Sequence, residues 1–186
     1  MRIALLGYGK MGKLIERIAI ERGHEVVVTV DETNRSKVTD DQLKQADVAI
    51  EFTMPAVAVE NYKWCFDLGV PVVSGTTGWL DRWEEVTAYC EQHRGGFFYA
   101  SNFSIGVNIF FRLNNYLARL MHDFDDYKVF IEETHHIHKL DAPSGTAITI
   151  AEGILENHGG YSSWELNQGE TVAKDILPVT AKRIGE

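Results

Sequence analysis

The fold of this chain is decided near its amino terminus by one stretch, Arg2-Ile3-Ala4-Leu5-Leu6-Gly7-Tyr8-Gly9-Lys10-Met11-Gly12. Its first five residues form a mostly apolar run that predicts a buried strand, and apolar residues recur at helical spacing from position 11 onward. The glycines match G-x-G-x-x-G, the pattern in which a strand turns sharply into a helix whose N-terminus binds a pyrophosphate. We therefore predict a dinucleotide-binding turn with these cofactor-binding residues: Gly7, Gly9, Lys10, Met11 and Gly12.

An acidic residue follows at the position expected for binding the adenosine ribose of such a dinucleotide. Asp31 ends the second predicted strand, 19 residues after Gly12, and a carboxylate at this spacing accepts hydrogen bonds from the ribose hydroxyls. Asp31 and Glu32 together would repel a 2′-phosphate, which favours NADH as the cofactor. Arg35 and Lys37 are close enough in sequence to offset that repulsion, so NADPH remains the alternative.

Predicted strands and helices alternate through the first half of the chain. Strands are predicted at residues 2–6, 26–30, 48–52, 71–74 and 97–100, with helices between most of them. This rhythm is typical of βαβ units, which build a parallel sheet. The fold class that follows is α/β, beginning with a Rossmann-type parallel-sheet dinucleotide-binding domain over residues 1–102.

The pattern changes after residue 102. We predict an amphipathic helix over residues 106–122, a strand over 127–134, a helix from 143 to about 157, a loop over 159–169 and a strand over 177–184. Helices and strands no longer alternate at the βαβ rhythm. Residues 103–186 are therefore predicted to form a second domain of the α+β class.

Three further loops are expected at the sheet edge where the glycine turn lies. They begin at Phe52-Thr53, at Gly75-Thr76-Thr77-Gly78 and at Ala100-Ser101-Asn102-Phe103, each directly after a predicted strand. Ligands of open parallel sheets bind outside the carboxyl ends of the strands. Each loop alone is more typical of an ordinary strand-to-helix turn, but next to a dinucleotide turn all three become candidates for the nicotinamide half of the cofactor.

The densest group of reactive side chains lies in the second domain. His135, His136 and His138 are followed by Lys139 and Asp141. Histidine titrates near neutral pH and lysine carries a fixed positive charge, so this loop is a basic island in an acidic chain. One of the two preceding glutamates, residues 132 and 133, is a candidate for orienting a histidine, the alternative being a charge at the strand edge.

A helix N-terminus follows this loop and suits an anionic substrate. Ser144 is a candidate N-cap, which would leave the N–H groups of Gly145 and Thr146 directed at a carboxylate. Two other interpretations of the loop are a solvated polar loop with incidental histidines and a zinc site that includes Asp141. Adjacent side chains such as His135 and His136 diverge on an extended backbone, which disfavours zinc, and we predict no metal.

Composition excludes several other classes of protein. The 186 residues are 45% hydrophobic and 24% charged, as in globular proteins, and carry a net charge of −9 that disfavours general nucleic-acid binding. No apolar run approaches the ~20 residues that cross a bilayer, and three early glycines interrupt the amino terminus before a signal-peptide core forms. We expect a cytoplasmic protein with neither nucleic-acid nor membrane partners.

At this point the sequence resembles a known family. Residues 133–147, Glu-Thr-His-His-Ile-His-Lys-Leu-Asp-Ala-Pro-Ser-Gly-Thr-Ala, are similar to the signature of the dihydrodipicolinate reductases, enzymes of lysine and diaminopimelate synthesis. Gly7–Gly12, Glu51-Phe52-Thr53, Gly75–Gly78 and residues 102–108 match the same family in the same order. The resemblance covers essentially the whole chain.

The resemblance implies a reaction and a role for particular residues. NAD(P)H would reduce a cyclic unsaturated dicarboxylate to tetrahydrodipicolinate, with His135 as general acid/base and Lys139 as proton donor. His136, Gly145 and Thr146 would bind the substrate, the last two through one of its carboxylates. Further cofactor contacts are implied at Phe52, Thr53, Gly75, Thr77, Ala100, Asn102 and Phe103.

The resemblance also implies features of the second domain, and the chain departs from the family in two places. Residues 103–186 would bind the substrate and support a homotetramer, and in the family this domain continues for several tens of residues beyond the position of Glu186, so it is expected to be short at its C-terminus. Glu32 stands where the family usually has a basic residue, which weakens an NADPH preference. The alternatives are a truncated or regulatory dinucleotide-binding protein without turnover and a metal-dependent hydrolase that uses the histidines.

Overall fold

The computed structural model describes residues 1–124, 126–167 and 169–186. The chain divides into two compact units, Met1–Ser101 and Asn102–Glu186. Each unit has a sheet and a hydrophobic core of its own.

The first unit is a five-stranded sheet whose strands are connected mostly by helices. Its strands are β1 (Arg2–Leu6), β2 (Glu25–Val30), β3 (Val48–Glu51), β4 (Val72–Ser74) and β5 (Phe97–Tyr99). Its helices are α1 (Lys10–Glu21), α2 (Asp40–Leu43), α3 (Pro55–Asp67) and α4 (Trp83–Gln92), with a 3₁₀ turn at Leu80–Arg82. The predicted α/β class is confirmed.

The strand order creates one preferred place for a ligand. The order is β2-β1-β3-β4-β5, and every pairing is parallel. The chain moves from β1 to β2 on one side and then crosses to β3 on the other, so β1 and β3 flank the switch point at which such sheets bind ligands. At this edge the N–H of Phe52 donates to the carbonyl of Leu6, and the N–H of Gly7 donates to the carbonyl of Val30, both at 2.8 Å. The carboxyl ends of three strands thus form one row.

The core of the first unit supports the loop that follows β4. Tyr62 of α3 and Trp79 are fully buried, and their rings meet edge to face with centroids 5.0 Å apart. The indole N–H of Trp79 donates to the carbonyl oxygen of Thr76 at 2.7 Å. This bond ties the loop at residues 75–78 to the aromatic core.

The second unit has a three-stranded sheet packed against helices. Its elements are α5 (Ile105–Met121), β6 (Ile131–His135), α6 (Gly145–His158), β7 (Ser163–Leu166) and β8 (Ile176–Arg183). Strand β8 lies between β6 and β7 and pairs in parallel with both. Ala151 and Ile154 of α6 pack with Leu177 and Val179 of β8 to form its core. This is the smaller second domain that the sequence predicts.

Two segment predictions in this unit are wrong. The strand predicted over residues 127–134 begins only at Ile131, because the N–H of Val129 donates to the hydroxyl of Tyr161 at 2.9 Å rather than to a neighbouring strand. The loop predicted over residues 159–169 contains β7, whose residues are exposed except for the half-buried Trp164 and so show little alternation. Gln168, also in that predicted loop, lies outside the described residues.

None of the helices in the described part of the chain is both long and apolar enough to cross a membrane.

Candidate active site

The glycine turn after β1 is closely packed at two positions and open at the third. Gly7 has a φ of +95°, and a Cβ there would lie 1.9 Å from the carbonyl oxygen of Phe52. A Cβ at Gly12 would lie 2.2 Å from the carbonyl oxygen of Gly7, whereas a Cβ at Gly9 would meet no atom within 4 Å. Gly7 and Gly12 are therefore required by the protein itself, and Gly9 leaves space for a ligand.

The N-terminus of α1 opens directly onto this space. Gly9 is the N-cap residue and provides no side-chain hydrogen bond, while Lys10 and Met11 are the first two residues of the helix. The first N–H groups of a helix have no partners within the helix, and the helix dipole makes this end attractive to anions. The turn therefore fits a pyrophosphate group.

Asp31, at the end of β2, is held in one orientation by its neighbours. Its Oδ1 atom accepts hydrogen bonds from the N–H of Thr33 (2.8 Å), the hydroxyl of Thr33 (2.6 Å) and the N–H of Asn34 (3.1 Å). The hydroxyl bond from Thr33 is the main reason that the pKa of Asp31 lies below its ordinary value. These three bonds all end on Oδ1, so Oδ2 can accept a hydrogen bond from a ribose hydroxyl.

A crevice of about 450 Å³ connects the glycine turn, Asp31 and the loop after β3. This volume is in the range of small-molecule and cofactor sites. The predicted cofactor residues that line it are Gly7, Gly9, Asp31, Phe52 and Thr53. The residues present therefore fit a dinucleotide.

Charges of both signs surround the ribose end of this crevice. Glu32 and Arg35 line it together with Asp31. The guanidinium of Arg35 lies 3.5 Å above the ring of Trp64, in a cation–π contact. The crevice thus combines two carboxylates that disfavour a 2′-phosphate with one guanidinium that would attract it.

The other predicted cofactor residues do not line this crevice. Gly75 lies against Phe52, because a Cβ at Gly75 would lie 2.2 Å from the Phe52 ring. Asn102 begins the second unit, and its side chain accepts a hydrogen bond from the N–H of Ser104 at 2.8 Å. The full set outside the crevice lining is Lys10, Met11, Gly12, Gly75, Thr77, Ala100, Asn102 and Phe103.

In the second unit, one carboxylate connects the histidine loop with the start of α6. Glu133 of β6 has a side chain only 10% exposed, and its Oε1 accepts the N–H of Ser144 at 2.8 Å. Its Oε2 accepts the hydroxyl of Ser144 and lies 3.5 Å from Nδ1 of His135. Of the two glutamates proposed to orient a histidine, Glu133 is the one beside His135, whereas Glu132 pairs with Lys182 at 2.7 Å.

Ser144 forms the N-cap of α6, as the sequence predicts. Its hydroxyl oxygen accepts the N–H of Ala147 at 3.2 Å while the hydroxyl proton goes to Glu133. Gly145 and Thr146 are the first residues of this 14-residue helix, so the helix itself provides no acceptor for their N–H groups. The start of α6 is thus suited to a carboxylate.

Arg183, at the end of β8, holds the loop between His135 and Ser144. Its Nε donates to the carbonyl of Lys139 at 3.3 Å, and its Nη2 donates to the carbonyl of Asp141. The same Nη2 lies 3.6 Å from Oε1 of Glu133.

The Nζ of Lys139 bonds both carboxylate oxygens of Asp141, at 2.8 and 3.0 Å. Burial acts to raise the pKa of Asp141, but these bonds bring it below its ordinary value.

The two remaining histidines of the loop are exposed. Their ring centroids, those of His136 and His138, lie 6.0 Å apart. Among the described residues, no group of three or more histidine, cysteine, aspartate or glutamate side chains is arranged to hold a metal ion.

Sequence reasoning missed three residues that organise these sites. From the sequence, Arg183 is only part of a predicted strand, Glu51 is only one position of the family pattern, and Trp79 has no assigned role. Arg183 bonds the loop before α6, Glu51 bonds Ser74 and Trp79 packs on Tyr62, and these partners are distant in sequence, so spacing gives no signal for the contacts. A charged residue in an otherwise apolar strand was the one available indication for Glu51.

Two family models match this chain over nearly all its length. Residues 1–103 match the N-terminus of dihydrodipicolinate reductase, and residues 106–186 match its C-terminus. The chain belongs to the dihydrodipicolinate reductase family. The resemblance stated from the sequence is confirmed, and membership assigns the chain to a family of NAD(P)H-dependent oxidoreductases.

Curated members of the dihydrodipicolinate reductase family are similar to most of the chain. A 4-hydroxy-tetrahydrodipicolinate reductase of Christiangramia forsetii is 47% identical over 183 residues, which are 98% of this chain and 74% of that protein. The enzyme of the same name from Acinetobacter baylyi is 32% identical over 85% of this chain and 64% of its own length. This chain thus spans about two thirds to three quarters of these relatives.

A solved dihydrodipicolinate reductase supports the fold. The dipicolinate-bound enzyme of Paenisporosarcina sp. TG-14 superposes with a TM-score of 0.69, covering 100% of this chain and 79% of that one. The two chains are 24% identical, so this comparison concerns the fold alone.

Proposed function

We propose that this chain carries out the reaction of its family, the NAD(P)H-dependent reduction of a cyclic unsaturated dicarboxylate to tetrahydrodipicolinate. The observation that carries this proposal is the position of Glu133, which contacts both the histidine proposed as acid/base and the N-cap of the helix proposed to bind a carboxylate. A binding module without chemistry has no need of both groups on one carboxylate.

The N-terminus of α6 is proposed as the seat of one substrate carboxylate. Gly145 and Thr146 would donate their N–H groups, with His136 from the exposed part of the loop as a further contact. The cap at Ser144 supports this role, because it supplies an acceptor for the N–H of Ala147 and leaves the first two N–H groups to a ligand.

His135 and Lys139 are proposed to supply the proton that balances the reduction. Glu133 lies 3.5 Å from Nδ1 of His135 and would hold the imidazole in one orientation. Lys139 carries a positive charge that Asp141 holds in place and that would stabilise negative charge developing on the substrate. A positioned proton donor of this kind contributes roughly 10²- to 10⁴-fold to a rate.

The first unit is proposed to bind the reduced dinucleotide, which supplies a hydride when bound. The pyrophosphate would lie at Gly9 and the start of α1, and the adenosine ribose at Asp31. We propose a preference for NADH, supported by the two carboxylates of Asp31 and Glu32 that line the crevice. The guanidinium of Arg35 supports use of NADPH at lower affinity.

The proposal is tested by following oxidation of NADH and NADPH with the freshly prepared cyclic dicarboxylate and this 186-residue chain. Substrate-dependent oxidation is the expected result. Cofactor binding without oxidation would instead favour the second candidate function, a dinucleotide-binding protein without turnover. The crevice is the observation that supports this candidate. Loss of activity on treatment with a chelator would contradict the metal-free mechanism.

The family relationship also supports a homotetramer in the cytoplasm, and both remain proposals. Light scattering of the purified chain measures the assembly, and a monomer in that experiment would contradict it. Fractionation of the producing cell tests the location.

A further inference from the structure

A fully buried carboxylate stands at the end of β3, one residue before the crevice begins. Glu51 is 0% exposed, and the groups that contact its carboxylate are hydroxyls. Its Oε1 accepts the hydroxyl of Thr53, and its Oε2 accepts the hydroxyl of Ser74 at 2.8 Å. A buried carboxylate is costly unless it is hydrogen-bonded, so these contacts are strongly held.

The direction of every hydroxyl proton in this group follows from counting donors. Ser74 has one hydroxyl proton and gives it to Glu51, so the 2.7 Å contact between Ser74 and Tyr62 is a bond donated by Tyr62. Burial, followed by the charge of Glu51, raises the pKa of Tyr62 and keeps it a donor. Tyr62 therefore donates to Ser74, while Ser74 and Thr53 each donate to one oxygen of Glu51.

This group of side chains also joins two loops at the sheet edge. The N–H of Thr53 donates to the hydroxyl oxygen of Thr76 at 2.8 Å, and the N–H of Thr76 donates to the hydroxyl oxygen of Ser74 at 3.3 Å. The loop after β3 is thus tied to the loop after β4 by these two bonds, and Thr53 and Ser74 also hydrogen-bond Glu51. Glu51 itself does not line the crevice, but Thr53 does.

The bond to Glu51 also decides which hydrogen bonds Thr53 can make to a ligand. Its single hydroxyl proton is directed at Glu51, so toward the crevice its oxygen can only accept a hydrogen bond. A ligand group at this point must then be a donor, such as a ribose hydroxyl or a carboxamide N–H. Both groups occur in a nicotinamide dinucleotide.

We propose that Glu51 is a positioning residue for the dinucleotide, which fixes Thr53 as an acceptor for a donor group of the cofactor. The inference rests on the proposed function, since it takes the crevice to be the dinucleotide site. Glu51 acts through Thr53 and makes no contact with the cofactor itself.

A double-mutant cycle on NADH affinity, measured by calorimetry without substrate, tests this role. In Glu51→Gln the new amide N–H group faces one of the two hydroxyls, so the orientation of Thr53 is no longer fixed. We expect Glu51→Gln and Thr53→Val each to weaken NADH binding about tenfold, which corresponds to about 1.4 kcal/mol. The double variant should bind no more weakly than Thr53→Val alone, because Glu51 then has no hydroxyl to orient.

The control is Glu84→Gln, an exposed carboxylate of α4, which should leave NADH affinity unchanged. If Glu51→Gln does not fold, the cycle is measured with Glu51→Asp, which keeps the charge but withdraws the oxygens by one methylene. Effects that multiply in the double variant would overturn the inference and leave the proposed function intact. Failure of the unchanged chain to bind NADH or NADPH would overturn both.

Discussion

Nδ1 of His135 lies 3.5 Å from Oε2 of Glu133, and that oxygen also accepts the hydroxyl proton of Ser144. Nδ1 is buried and, within the described residues, makes no hydrogen bond. The acid/base candidate and the N-cap of α6 therefore share one carboxylate. A shift of Glu133 would alter the proton donor and the carboxylate seat together.

Glu133→Gln should lower kcat/KM by about 10- to 100-fold, the range for loss of a hydrogen bond to a charged group. The amide places an NH₂ donor where one of the two oxygens accepts a bond from Ser144, and it has no charge for His135. Steady-state kinetics measure the effect, with Glu132→Gln on the exposed face of the same strand as the matched control. If the two variants have equal kinetics, the carboxylate of Glu133 contributes no more to the reaction than the exposed carboxylate of Glu132.

Lys139→Ala should lower kcat by roughly 10²- to 10⁴-fold and leave NADH affinity nearly unchanged. The side chain lies in the second unit, away in sequence from the dinucleotide crevice, so its loss removes charge and a proton donor without altering that crevice. Kinetics and calorimetry on the same sample measure the two effects. Near-normal turnover would remove Lys139 from the mechanism, and Lys44→Ala, at an exposed position, is the control.

Cofactor choice should change in opposite directions when Asp31 and Arg35, which both line the crevice, are replaced. Asp31→Ala should weaken NADH binding about tenfold, because the ribose loses its acceptor. Arg35→Ala should weaken NADPH binding more than NADH binding, because only NADPH carries the phosphate that a guanidinium binds. The ratio of the two dissociation constants, measured by fluorescence titration, decides this, and an unchanged ratio in Arg35→Ala would exclude a role in selectivity.

Two glycines of the turn should respond differently to the same substitution. Gly9→Ala should keep its melting temperature and lose NADH affinity by about tenfold, since its Cβ meets only open space where the pyrophosphate would lie. Gly12→Ala should lose about 1–3 kcal/mol of stability, because its Cβ would overlap the carbonyl oxygen of Gly7. Calorimetric melting separates the two, and full NADH affinity in Gly9→Ala would argue against a dinucleotide at this turn.

The sequence predicts most of the first unit because its local signals agree with one another. Apolar runs, glycine breaks and the proline that begins α3 all mark boundaries within one or two residues of those observed. The second unit is predicted less well, since β7 is an exposed edge strand and Val129 bonds the side chain of Tyr161, which is distant in sequence. Pairing between remote segments decides both cases.

The residues of the candidate sites also fall into two groups, those that local sequence patterns predict and those that only the fold brings to their partners. The glycine turn, Asp31 and the cap at Ser144 are local patterns, and the sequence predicts them together with their geometry. Arg183 meets its loop, and Glu51 meets Ser74, only because the fold brings these partners together, and a single sequence contains no signal for such contacts. The roles assigned to His135, His136 and Lys139 remain predictions.

The bond from the indole of Trp79 to Thr76 gives this protein an internal optical reporter. Trp79 is buried and stacks on Trp83, while Trp64 lies under the guanidinium of Arg35 at the crevice. Rearrangement of the loop at residues 75–78 would alter the environment of the first indole, and a ligand that moves Arg35 would alter that of Trp64. Tryptophan fluorescence of the unlabelled chain should therefore respond, during a titration, both to rearrangement of this loop and to movement of Arg35.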